Sequence, residues 1–199
     1  MLARLSLPLL SLLASASAIP LTRRQDSTQE TCTPHFNETL STQIGSRFDL
    51  RFAWVPYNSS QRYDPETPEQ INISSLRSLT PLVDLWNIIG TADGSHKVQL
   101  ATNTSLCASG SGAGGNSTQL DYVNCESDLA SWDLTCTSCD AAAALNCQFS
   151  PVYRKQADAA GATVCAHVSG GDTGVLTLAE CEAFTEELSN QQFFSLGPL

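Results

Sequence analysis

Apolar and polar residues alternate in short runs along this chain, and Gly, Asn and Ser bound the runs. Val98-Gln99-Leu100 is followed by Asn103-Thr104-Ser105-Leu106-Cys107, and then by a Gly/Ser loop from Ser109 to Ser117. Leu120 to Cys125 and Trp132-Asp133-Leu134 come next. A period of two between turn residues predicts half-buried strands. The same order returns near the C-terminus, where Thr163 to Val168 leads to a glycine loop at 170–174. Val175 to Cys181 and Gln192 to Leu196 follow it. Upstream, Phe48, Leu50 and Phe52 alternate with Arg47, Asp49 and Arg51, which predicts a strand within Ile44–Trp54. Leu85 to Ile89 predicts another, ending at Gly90, and Tyr57–Glu69, with Pro65 and Pro68, predicts a surface loop.

Two segments favour helix: the alanine-rich Asp140–Leu145, and Leu178–Glu187. Elsewhere strands and turns follow one another at short spacing, so the expected fold class is all-β. Three triplets share an aromatic-polar-aliphatic form: Trp86-Asn87-Ile88, Trp132-Asp133-Leu134 and Phe194-Ser195-Leu196. They are 46 and 62 positions apart, and the longer gap contains Cys136–Cys147, which reads as an insertion. Three units, each closed by a buried aromatic, can share a core that none could build alone. Trp86, Trp132 and Phe194 are therefore expected as buried equivalents, with Ile88, Leu134 and Leu196 beside them.

Processing signals change the picture at the N-terminus. Arg4, the mostly apolar Leu5–Leu13 and Ala16-Ser17-Ala18 form a secretory signal pattern over residues 1–18. The apolar run is too short to span a bilayer, and no later run reaches the required length. The polar segment 19–31 carries Arg23-Arg24, which is either a dibasic processing site or two solvated arginines. Residues 32–199 are expected as one domain. Without Arg4, Arg23 and Arg24, 7 basic residues face 20 acidic ones. Nucleic acid is therefore excluded as the expected partner, because phosphate binding needs Lys and Arg.

Eight cysteines follow the signal: Cys32, Cys107, Cys125, Cys136, Cys139, Cys147, Cys165 and Cys181. An even number in a secreted chain predicts four disulfides. Cys136-Thr137-Ser138-Cys139 has a metal or redox spacing but no second such pair, so no metal is expected. Five sequons, at Asn37, Asn58, Asn72, Asn103 and Asn116, predict a glycoprotein.

No catalytic constellation emerges. Gly110, Gly112 and Gly115 match a dinucleotide-type glycine spacing, but a strand pattern follows where that motif needs a helix. His35, His96 and His167 lack a nucleophile elbow, and the carboxylates Glu180, Glu182, Glu186 and Glu187 read as a solvated face. The chain is expected to be no enzyme and to use no cofactor. Of the tyrosines, Tyr122 has the best polar surroundings, between Asp121 and near Asn124.

Cys107…Cys125 followed by Trp132, and Cys165…Cys181 followed by Gln192-Phe193-Phe194, resemble the ricin B-type β-trefoil family. In chain layout the protein is similar to small secreted fungal proteins of this type. The resemblance implies a β-trefoil of three pseudo-repeats with disulfide-braced hairpins, and pairs Cys107–Cys125 and Cys165–Cys181. The remaining Cys32, Cys136, Cys139 and Cys147 allow three pairings, of which Cys139–Cys147 with Cys32–Cys136 is favoured. The family's acidic sugar-clamping position falls on Ser109 and His167, and its stacking aromatic on Val123 and Ala179. The resemblance thus implies a secreted, extracellular lectin-like protein whose partners are glycans. The alternative is an interaction module or effector that has lost sugar binding and meets an extracellular protein. The expected ligand residues are Ser109, Asp121, Tyr122 and Asn124 in the middle unit and Gln192 in the last.

Overall fold

The computed structural model describes residues 29–36, 39–47, 52–57, 70–75, 86–110, 119–153, 163–169, 174–185 and 191–197. The signal segment, Arg23-Arg24, three sequons (Asn37, Asn58, Asn116), Phe48 and Leu50, and Glu186 and Glu187 lie outside the described residues.

Six strands close into a barrel. They are β1 (Leu40–Ser46), β4 (Trp86–Gly90), β5 (His96–Leu100), β8 (Ser131–Thr135), β10 (Ala144–Pro151) and β13 (Phe194–Gly197). Each pairs antiparallel with the next, and β13 returns to β1. Closure leaves no ring strand with an open edge. Between the paired ring strands stand three hairpins: β2 (Phe52–Tyr57) with β3 (Gln70–Ser75), β6 (Asn103–Ser109) with β7 (Asp121–Asn124), and β11 (Val164–Ser169) with β12 (Gly174–Glu180). The chain therefore repeats one plan three times, ring strand, hairpin, ring strand. The short β9 (Ser138–Cys139) belongs to the segment that leads into the third unit, and pairs with β10.

The aromatics expected at equivalent places are all buried: Trp86, Trp132 and Phe194 are fully inaccessible, with Ile88, Leu134 and Leu196 in the same core. Trp54 on β2 fills the centre, its ring lying 6.4 Å from Trp86 and from Trp132, 5.3 Å from Phe194 and 4.9 Å from Phe149. Ala108 and Ala166 occupy the matching places on β6 and β11, so one large and two small side chains share the space. At the hairpin end Ile71, Leu120 and Leu176 are all fully buried. Leu120 N–H donates to the Leu176 carbonyl at 2.9 Å, and Ile71 N–H to the Leu120 carbonyl at 3.3 Å.

Two expectations are corrected. Asp140–Ala143 is irregular and β10 begins at Ala144, because the Ala144 backbone pairs with both Cys139 and Leu196. Leu178–Glu180 belongs to β12, paired with β11, and 181–185 carries no helix. In both places tertiary pairing overrides a weak helix propensity. The alternation that predicted a strand within Ile44–Trp54 falls largely on residues 48–51, outside the described residues; on either side of them β1 and β2 pair antiparallel at Gly45 and Ala53.

Cys107–Cys125 and Cys165–Cys181 each brace one hairpin. The favoured pairing of the other four is overturned: the bonds are Cys32–Cys139 and Cys136–Cys147. The register decides it. Gln148 faces Thr135, so the next residues, Cys147 and Cys136, stand opposite each other with Cα atoms 4.0 Å apart. Cys139 is left for Cys32. All eight cysteines are bonded, which suits an oxidising compartment. Among the described residues no helix is long and apolar enough to cross a membrane.

Candidate functional site

The middle hairpin carries four of the expected ligand residues, but its register separates them. Ser109 faces Asp121, Ala108 faces Tyr122, and Leu106 faces Asn124. Strand alternation puts Tyr122 and Asn124 on the opposite side from Asp121. Ser109 is fully buried and its hydroxyl donates to the Leu129 carbonyl at 2.9 Å. Leu129 lies in a short 3-10 helix, Asp128–Ala130, capped by the Ser127 hydroxyl. Tyr122 is half-buried and its ring stacks on Trp86, 6.2 Å between centroids and 8° between planes. That contact gives one aromatic face to the core. Asn124 is exposed, and its Oδ1 accepts the Glu126 N–H at 2.8 Å, an arrangement that shapes the turn after β7.

Gln192, expected beside a ligand, is 2% exposed and works within the fold. Its Nε2 donates to the Glu180 carbonyl at 2.7 Å, and its Oε1 accepts the Glu182 N–H at 2.8 Å. It thus clamps the chain on both sides of Cys181 to the start of β13. A buried amide that satisfies two backbone groups is expensive to remove and poorly placed to meet a solute.

An outward polar cluster lies on the third hairpin. Cys165-Ala166-His167-Val168-Ser169 alternates, so His167 and Ser169 share one face of β11, and Thr177 on β12 faces His167. The His167 Nε2 donates to Gln191 Oε1 at 3.3 Å. Ser169 Oγ and Thr177 Oγ1 lie 2.9 Å apart, and Thr177 Oγ1 donates to the His167 carbonyl at 3.3 Å. Gln191 and Ser169 are exposed, and His167 and Thr177 are half-buried. The register marks the same place in each unit: Val55 opposite Asn72, Ser109 opposite Asp121, His167 opposite Thr177. Val55, Asn72 and Ser109 are buried, so the third unit offers the more accessible polar pair. The alternation around His167 was visible in the sequence; the approach of Gln191 from the far side of a loop was not.

Among the described residues no three His, Cys, Asp or Glu side chains gather as metal ligands. His96, at the start of β5, is buried, and burial lowers its pKa from the ordinary histidine value. Asp93, in the β4–β5 turn, accepts hydrogen bonds from the Thr91 hydroxyl and from the Ser95 N–H and hydroxyl, which lower its pKa to about 2. Of the two described sequons, Asn72 is 9% exposed on β3, with its Oδ1 buried and unpartnered. Asn103 starts β6, and its Oδ1 accepts from the hydroxyl of Ser105, the third sequon residue, at 2.7 Å.

No protein-family model matches this chain, and no curated protein sequence matches it.

Proposed function

We propose that this chain is a secreted β-trefoil protein, lectin-like and non-catalytic, that holds carbohydrate on the outer face of its third hairpin. The observation that carries the reading is the threefold plan: a closed six-strand ring with one hairpin between the ring strands of each unit, of which the third presents His167, Ser169 and Thr177 outward, with Gln191 meeting them from the turn before β13. Imidazole, hydroxyl and amide groups on one face offer donors and acceptors together, as vicinal sugar hydroxyls require. Loops and hairpins carry the chemistry, because core side chains fill the barrel. The signal segment, four disulfides and sequons support secretion, and the acidic balance supports a neutral or basic ligand over a phosphate.

One observation favours a second reading, an extracellular protein-interaction module. Sugar sites commonly add an exposed aromatic platform. Here the ring of Tyr122 stacks on Trp86, and among the described residues the one large apolar side chain that is exposed is Leu145, on β10. A glycan array with the secreted protein, repeated with His167→Ala and Gln191→Ala, separates the two. The lectin reading expects competable binding that both variants weaken at least about tenfold, the scale of one lost hydrogen-bonded group. Silence across diverse glycans by a folded protein favours the second reading.

A further inference from the structure

Residues 29–36 form a strap ahead of β1. Since β1 runs toward its hairpin, the strap lies at the other end of the barrel, with the β4–β5 turn and the segment after Cys136. Four contacts hold it. Gln29 N–H donates to the Phe184 carbonyl at 3.2 Å, and Cys32 and Cys136 exchange two backbone hydrogen bonds of 2.8 Å. Cys32 is bonded to Cys139. The fourth contact is His96: its Nε2 lies 2.9 Å from the carbonyl oxygen of Pro34, and the Phe36 ring meets it edge-on at 6.2 Å.

A carbonyl oxygen only accepts, so Nε2 carries the ring proton and Nδ1 is the bare nitrogen. His96 is 2% exposed, and Nδ1 is buried without a hydrogen-bond partner. Adding a proton at Nδ1 would create a buried cation with an unmet N–H, which costs far more than the same charge in water. The charged groups that act on the ring come from three elements: His35 on the strap, Asp133 on β8 and Asp93 in the turn. The partner of His96 on β4 is Gly90, which brings no charge.

We propose that His96 is an acid-sensitive latch, whose protonation at Nδ1 releases the strap from Cys32 to Phe36, its backbone bonds to Cys136 included, while the Cys32–Cys139 disulfide keeps it tethered. The proton comes from solvent, no covalent bond changes, and the strap recloses when the proton leaves. Burial is the largest influence on the ring and lowers its pKa; the Pro34 hydrogen bond and the two carboxylates oppose it, and the His35 charge adds to it. The closed state thus binds the proton more weakly than the open one. Closure is at full strength above the ordinary histidine value of about 6.5 and weakens as pH falls below it. Between the open and closed pKa values the open population rises by up to about tenfold per pH unit.

Hydrogen exchange of the Cys32 and Cys136 amides, corrected for intrinsic chemistry and read on the full, oxidised protein at pH 7.5 and 5.5, tests this. The expected result is a loss of protection at the lower pH for these two amides, of up to about tenfold, with amides of β4 unchanged. His96→Gln keeps a donor for Pro34 and cannot ionise, so its strap protection should be flat with pH. A wild-type strap equally protected at both values overturns the proposal, as does a His96→Gln protein with the wild-type loss. Should that variant fail to fold, the wild-type His96 ring titration decides: a midpoint at or above 6.5 with the strap still protected overturns the latch.

Discussion

The indole N–H of Trp86 donates to the backbone carbonyl of Trp54 at 2.9 Å, and the two rings meet edge-on at 90°. Trp132 repeats the bond in the next unit, donating to the Ala108 carbonyl at 2.8 Å. Each bond ties a ring strand to the first strand of a hairpin in the core, so each should contribute alike. Trp86→Phe and Trp132→Phe are each expected to lose about 1 to 3 kcal/mol, because a buried carbonyl is left unmet. Trp132→Ala adds a cavity, for about 3 to 5 kcal/mol. The Trp54 indole nitrogen is buried without a partner, so Trp54→Phe removes an unmet donor and should cost less than Trp86→Phe. Urea unfolding of the four variants checks the order; Trp54→Phe as the most damaging Phe variant would contradict it.

The four disulfides should open in a definite order. Cys32–Cys139 joins two half-buried residues, whereas Cys136 and Cys147 are both fully buried and each hairpin bond has one buried member, Cys107 or Cys165. Exchange requires an attacking thiolate to reach sulfur. Under limiting reductant, differential alkylation and peptide mapping should find Cys32 and Cys139 labelled first. Early labelling of Cys136 or Cys147 would show that the strap does not govern access.

Glycan occupancy should divide the two described sequons. In a host with a secretory pathway, the prediction is a glycan on Asn103 and none on Asn72. Asn103 begins β6 directly after a turn, next to exposed Thr104 and Ser105, whereas Asn72 is packed between β2 and β12. Glycopeptide mapping reads both sites. Secreted protein bare at Asn103, or a glycan on Asn72 of folded protein, would refute the assignment.

Acid should weaken the β4–β5 turn through Asp93. Its pKa in the folded protein, about 2, is below the ordinary carboxylate value, chiefly through the Thr91 hydroxyl. A depressed folded pKa contributes stability that is present above about pH 4 and is lost as pH falls toward 2. The carboxyl carbon shift of Asp93 should titrate near 2, and Asp93→Asn should flatten the acid limb of stability below pH 4. A midpoint near 4 would mean that the turn bonds do not hold in solution.

Local pattern alone was enough for β4 to β8, for β11 to β13 and for the three buried aromatics at matching places, but not for β3, β9 or β10, and the two hairpin bonds were implied by the family resemblance. Alternation and turn residues act over a few positions, and Cys107–Cys125 and Cys165–Cys181 close short loops of one hairpin each, so the chain near a residue contains the cause. Everything that depended on closing the ring was decided in three dimensions. The partner of Cys32 lies 107 positions away and follows from the register of β8 on β10, which leaves Cys136 facing Cys147. Asp140–Leu145 lost its helical preference to pairing with β9 and β13. Gln192, Tyr122 and Ser109 look like ligand residues in one dimension, and packing turned them inward, onto backbone, Trp86 and Leu129. His167 and Gln191, which the chain keeps 24 positions apart, were brought together outside. Which face of a strand meets water is a property of the whole barrel, because a period of two fixes that two faces exist but not which one the other strands will cover.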